Sequence, residues 1–234
     1  MGLGAFLGKF WHNYYTSDEV VGHENLQQNV GRTKNGTPIS DNNWKKSIKH
    51  IKNQIDLKES DDILEICCGN GMVIGELSKE CKSAKGIDYS DKLLKQLIKK
   101  YPNVACFWED AIECSLDENS HDKVILYFAA QHFGESDLVK LIKKMINTTK
   151  VGGKILIGDI PDESKKWEYI FKPEHKYDYF NRLENGTPMI GNWYNKEWFL
   201  SLKEYIPNVY IEVYSQPNFM INSDWRFDVI ITKL

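Results

Sequence analysis

No stretch of the 234-residue sequence holds the ~20 consecutive apolar residues that a membrane-crossing helix requires. Met1 to Phe10 is apolar in part, but no basic region precedes a long apolar core, so it does not read as a signal peptide. Gly2 suits myristoylation, yet Phe6 stands where Ser or Thr is needed. Positive charge is not in excess: 30 Lys and Arg face 33 Asp and Glu, which argues against nucleic acid as a partner. Cys67, Cys68, Cys81, Cys106 and Cys114 form no CxxC pair and no array with histidines, so no metal site is expected. They read as reduced, small apolar residues of a cytoplasmic protein. Internal repeats and low-complexity linkers are also missing, which leaves one domain with an elaboration, as a monomer or homodimer.

What is present is an alternation of strands and helices. Residues 1–39 are irregular and rich in aromatic and polar residues; Ser40 with Asp41 then signals a helix start, and Trp44, Ile48, Ile51 and Ile55 follow at helical spacing. Ile63 to Ile66, Lys85 to Asp88, Val104 to Trp108, Val124 to Phe128 and Lys154 to Gly158 read as strands. Leu93, Leu94, Leu97 and Ile98 mark one intervening helix; Leu138, Leu141, Ile142, Met145 and Ile146 mark another. Val151-Gly152-Gly153 reads as a turn into the fifth strand. Such alternation implies a doubly wound α/β sheet, covered on both faces, with ligands beyond the carboxyl ends of its strands. Residues 159–194 are long, polar and aromatic with no clear strand. Asn195 caps a short helix, and Val209 to Tyr214 and Arg226 to Thr232 read as antiparallel neighbours. The expected division is a lid and helix over residues 1–58 and a core over 59–234 carrying an insertion at 159–194.

Leu64-Glu65-Ile66-Cys67-Cys68-Gly69-Asn70-Gly71 ends the first strand in a glycine turn, where backbone can approach a ligand closely. By itself Gly69-x-Gly71 fits a dinucleotide site too. Glu65, four residues before Gly69, shifts the balance: a carboxylate there repels a diphosphate and attracts an ammonium group. S-adenosylmethionine carries an ammonium and a sulfonium and no phosphate. Asp88, 17 residues after Gly71, is placed to accept from both ribose hydroxyls, a device dinucleotide enzymes share. Tyr89 follows it and is placed to lie against the adenine. Glu109-Asp110-Ala111 stands just past the third strand, with Asp110 placed to accept from an adenine amino group and the Ala111 amide to donate to a ring nitrogen.

These segments, with Asp122 to Phe133 and Val151-Gly152-Gly153-Lys154, resemble in order and spacing the signatures of class I S-adenosylmethionine-dependent methyltransferases over roughly residues 60–160. Trp225 to Ile230 is similar to the reversed seventh strand of that family. The resemblance implies a seven-stranded, Rossmann-like sheet of order 3-2-1-4-5-7-6 with the last strand antiparallel. It implies that Glu65, Gly69, Gly71, Asp88, Asp110 and Ala111 hold S-adenosylmethionine, whose product is S-adenosylhomocysteine, with Tyr89 and Phe128 beside it. Cys67 stands where the family usually has Gly and would contribute through its backbone. Asn29 to Thr33, with Gly36 to Ser40, looks like a stretch of some bacterial small-molecule methyltransferases; Arg32 there either forks onto the cofactor carboxylate or sits on a surface turn.

Methyl transfer is an in-line displacement that rewards alignment of the acceptor. His132, after the fourth strand, is the candidate general base, its unperturbed pKa near 6.5 suiting proton abstraction; a positioning role is equally open. His12, His23 and His175 are alternatives. The acceptor pocket is expected from the N-terminal segment and the 159–194 insertion, through Tyr14, Tyr15, Tyr177, Tyr179, Arg182, Trp193 and Tyr194. A small acceptor is expected, methylated on oxygen or nitrogen: an anionic metabolite, a sugar or a phosphorylated intermediate. A nicotinamide-dependent reductase, a non-catalytic S-adenosylmethionine-binding module and a nucleic-acid methyltransferase are the competing functions. Glu65 and the antiparallel pair oppose the first, only Cys67 supports the second, and the charge balance opposes the third.

Overall fold

The computed structural model describes residues 10–11, 13–34, 36–187 and 190–234. Residues 1–9, with the Gly2 and Phe6 readings, and His12 lie outside the described residues. Seven strands form the main sheet: β1 (Asp62–Ile66), β2 (Ser83–Asp88), β3 (Ala105–Trp108), β4 (His121–Tyr127), β5 (Thr149–Pro161), β6 (Val209–Ser215) and β7 (Arg226–Lys233). Their order is β3-β2-β1-β4-β5-β7-β6. Pairings among β1 to β5 are parallel, and β7 runs antiparallel to both β5 and β6. This is the order expected. The chain leaves β1 towards β2 and β3, then returns to lay β4 on the other side of β1, so a crevice opens there at the carboxyl edge.

Alternation along β1 splits the core in two. Ile63 packs with Ile48, Ile51 and Ile55 of helix α1 (Asp41–Ile55) and with Leu94 and Leu97, while Leu64 and Ile66 face Leu138, Leu141, Ile142 and Met145. Short helix α2 (Ile74–Leu77) follows the glycine turn, α3 (Asp91–Lys100) follows β2, and α4 (Glu135–Thr148) precedes β5. Each fully buried Leu or Ile stabilises by roughly 1.5–3 kcal/mol, so the two stripes dominate the fold. Ser40 Oγ accepts the Asn43 amide at 3.3 Å and Ser90 Oγ that of Leu93 at 3.3 Å, which fixes where α1 and α3 begin.

Two expectations differ. The Val151-Gly152-Gly153 turn lies inside β5, where Gly152 at φ +77 lets the pairing with β4 slip between His121 and Lys123. The 159–194 segment, expected to hold no clear strand, begins with the last three residues of β5, Asp159 to Pro161, and then holds helix α5 (Pro173–Glu184) and a shorter one at Lys166–Tyr169. No residue of α5 is buried, so its sequence carries no apolar stripe by which to recognise it. Helix α6 (Lys196–Ser201) begins at Asn195, whose Oδ1 accepts the Glu197 amide at 2.8 Å. Among the described residues no helix is long and apolar enough to cross a membrane, and no acid, His and Cys cluster could hold a metal ion.

Candidate active site

The turn after β1 is built on left-handed backbone: Cys67 at φ 57, Gly69 at φ 53 and Gly71 at φ 76. Gly71 is required twice over, because a Cβ there would lie 2.6 Å from Leu97 Cγ. Asp88, at the end of β2, ties this turn to its own: Oδ2 accepts the Gly69 amide and Oδ1 the Ser90 amide, each at 2.8 Å. Burial pushes the Asp88 carboxyl up to about 6 against those donations.

Glu65 is fully buried behind the turn. Its Oε2 accepts the amide of Ile74, the first residue of α2, at 2.8 Å, and Oε1 has no partner among the described residues. The amide that a diphosphate would claim is therefore taken by a carboxylate. Burial pushes Glu65 up to about 8, opposed first by Arg32 and then by the Ile74 amide.

Arg32 is 6% exposed, which excludes the surface-turn alternative. It donates through Nη2 to the Tyr127 carbonyl at 3.3 Å, with its guanidinium 4.7 Å from the Tyr127 ring centre and 5.6 Å from that of Phe128. Among the described residues the ion pairs with both side chains buried are Lys123–Asp61 and Arg226–Asp159; Arg32 is a buried cation without one.

A cavity of 190 Å³ lies over the turn, lined by Arg32, Cys67, Gly69, Asp88, Asp110 and Ala111, with Tyr89 and Phe128 also on its wall. Glu65 and Gly71 stand behind that wall. Asp110 Oδ1 accepts the Ile112 amide at 2.7 Å and holds its loop against the cavity. Tyr89 donates its hydroxyl to the Trp11 carbonyl at 2.8 Å, which ties the N-terminal segment over the same space.

A second cavity, of 830 Å³, adjoins the first. Trp11, Tyr15, Phe128 and His132 line both. The His132 ring sits 4.3 Å from that of Trp11 and 5.7 Å from that of Tyr15, and its Nδ1 is buried without a partner. Burial, then Arg226, pushes its pKa down to about 3. The imidazole is thus neutral and a weak base, unlike the unperturbed histidine expected.

Of the expected acceptor residues, Tyr14 and Tyr15 line the second cavity. Tyr177, Tyr179, Arg182, Trp193 and Tyr194 line neither, which corrects that part of the expectation. Tyr177 is 76% exposed, and Tyr179 packs against Trp167 at 5.4 Å. Arg182 spends its Nε on Asp178, one helical turn back, at 2.7 Å. Trp193 lies tilted against Trp225, 5.4 Å between ring centres, and buried Tyr194 donates to the Phe133 carbonyl at 2.6 Å. His23 lines neither cavity, whereas His175 lines the second. Sequence reasoning missed Trp11, Gln131, Tyr169, Trp225 and Arg226 on that wall. Arg226 carried a usable signal, being a charge at the head of a strand whose middle, Val229 to Ile231, is apolar.

Residues 63–153 match a family described as a methyltransferase domain. The chain is 36% identical over 84 residues to a probable ribosomal RNA small subunit methyltransferase A of Methanococcus aeolicus, covering 35% of this chain and 31% of that one. It is 25% identical over 158 residues to a demethylmenaquinone methyltransferase of Shouchella clausii, covering 64% and 63%. A phosphoethanolamine N-methyltransferase 1 of Haemonchus contortus, solved with phosphoethanolamine and S-adenosylhomocysteine, superposes with a TM-score of 0.72 at 10% identity, covering 100% of this chain and 50% of that one. The chain therefore spans less than two thirds of the length of each of these relatives.

Proposed function

We propose that this chain is a class I S-adenosylmethionine-dependent methyltransferase and that it methylates a small molecule held in the 830 Å³ cavity. One observation carries the proposal: a narrow cavity over the β1 turn and a wide one over the sheet edge meet at Phe128 and His132. That junction is where a methyl group would pass.

The first cavity fits S-adenosylmethionine on its own chemistry. The unpaired buried Arg32 suits the carboxylate of the amino-acid head. The orphaned Oε1 of Glu65 leaves a buried acceptor behind the turn that suits an ammonium donor, and Asp88 suits the ribose hydroxyls. Asp110 and Ala111 stand at the adenine end, with Tyr89 beside them. When bound, the cofactor supplies an electrophilic methyl group on a sulfonium.

The protein's part is alignment and exclusion of water. Trp11 and Tyr15 cover the junction, and their faces suit a sulfonium cation. An acceptor oxygen or neutral nitrogen would give its lone pair to the methyl carbon as the bond to sulfur breaks, the electron pair staying on sulfur. Neutral His132 suits holding the acceptor's proton by a hydrogen bond more than removing it beforehand. Residues 10–34 and 159–194 serve as the walls that set acceptor choice, over a core spanning the remainder.

Thermal shift tests this. S-adenosylhomocysteine at 100 times its Kd adds about 2.7 kcal/mol, or roughly 5–10 °C in Tm for a chain of this size. Stabilisation by NADPH without stabilisation by S-adenosylhomocysteine would reject the proposal.

A further inference from the structure

Arg226 opens β7, and because β7 runs against β5, its first residue stands at the carboxyl edge of the sheet, paired with Pro161. It is 5% exposed and lines the second cavity. The faces of its guanidinium are occupied, with the Phe128 ring centre at 4.7 Å and that of Trp225 at 4.2 Å. One edge is occupied too. Nη1 donates to the Asp159 carbonyl and to Gln131 Oε1, and it lies 3.7 Å from Asp159 Oδ2. Every side-chain hydrogen bond of Arg226 to the described residues runs through Nη1, and Nε is buried with no partner among them. What remains is the Nε and Nη2 edge, with two parallel N–H groups, the fork that matches the two oxygens of a carboxylate. Leaving such donors buried and unmet is unfavourable, so an acceptor reaching this edge from the cavity would be favoured.

The wall beside this edge is aromatic. Tyr169 lies 4.4 Å from Trp225, ring centre to ring centre, and both line the cavity. The Phe128 ring lies near both Arg226 and Arg32, and Arg32 lines the other cavity. Each of the two cavities is thus lined by one buried arginine.

We infer that Arg226 is the acceptor-specificity residue, and that the acceptor is a ring compound bearing a carboxylate, its ring against Tyr169 and Trp225 and its carboxylate forked on the Nε and Nη2 edge. This rests on the methyltransferase reading of the same site and names its substrate class. A flat aromatic acid and a sugar acid present the same chemistry to this wall.

Calorimetry on the protein saturated with S-adenosylhomocysteine decides it, using benzoate against benzamide and glucuronate against glucose. The carboxylate of at least one pair is expected to bind at least about tenfold tighter than its neutral partner, as loss of a charged, forked hydrogen bond implies. The pair that responds identifies an aromatic acid or a sugar acid. R226Q should abolish that preference while leaving S-adenosylhomocysteine affinity within about twofold, and R226K, which keeps the charge without the fork, should retain only part of it. Should R226Q not fold, the paired comparison on the wild-type protein still decides. Equal binding within both pairs, no binding of any probe, a preference surviving in R226Q, or tighter binding of phenyl phosphate than benzoate overturns the inference. Failure of the wild-type protein to bind S-adenosylhomocysteine would instead overturn the cofactor assignment.

Discussion

Replacing Gly71 by Ala separates two costs that usually arrive together. Gly71 and Gly152 hold nearly identical left-handed backbone, at φ +76 and φ +77. Alanine at either position takes a left-handed penalty of about 1–2 kcal/mol, offset by about 0.4–1 kcal/mol from the stiffer unfolded chain. At Gly152 a Cβ would meet nothing within 4 Å, so G152A should cost about 1 kcal/mol. At Gly71 the Cβ would lie 2.6 Å from Leu97 Cγ and 3.0 Å from its Cδ1. Leu97 is fully buried between the sheet and its neighbours, so relief demands repacking at about 1–3 kcal/mol more. The expected losses are therefore about 1 kcal/mol for G152A and roughly 2–4 kcal/mol for G71A. Urea unfolding at matched m-values measures both. L97A removes the obstructing atoms, so the G71A/L97A double variant should be less destabilised than the sum of its singles. Equal losses at the two glycines, or strict additivity in the double variant, would refute the steric account of the turn.

Glu65 has a folded pKa near 8 against an ordinary 4.5, so its stabilising effect is complete below pH 4.5 and is lost as pH rises through 8. E65Q, which resembles the protonated acid, should escape up to about 5 kcal/mol of that loss; identical pH slopes for wild type and E65Q, with cofactor absent, would show the burial cost to be imaginary. His132 is displaced the other way, to about 3 from 6.5, so its contribution to stability is present above pH 6.5 and falls away towards pH 3. H132N should remove that acid-limb slope, and the wild-type kcat should show no inflection near pH 6.5 attributable to this residue. Tyr177 and Arg182 line neither cavity, so Y177A and R182A should each change stability by less than about 0.5 kcal/mol and leave acceptor turnover within about twofold.

The strand and helix order from Ile63 to Ile146 was legible because local periodicity coincided with burial: Leu93, Leu94 and Leu97 form one stripe because one face of α3 meets the sheet. The edge of the sheet at which Asp88 and Asp110 stand was legible for a related reason, since a strand end in a parallel sheet fixes which edge a residue occupies. The acceptor wall was not. Helix α5 buries nothing, so which of its aromatics face a cavity depends on docking that no local pattern encodes.

The run of residues from Leu64 to Gly71 determines by itself a tight, glycine-dependent turn with a carboxylate behind it, because chain neighbours need no fold to stay close. The juxtaposition of the two buried arginines was decided only in three dimensions. Arg32 and Arg226 are 194 positions apart in the chain, yet both guanidiniums lie within 6 Å of the Phe128 ring, at 5.6 Å and 4.7 Å. The cause is the reversal of β7 against β5, which brings the beginning of the last strand to the edge where the other strands end. No periodicity within either segment carries that information.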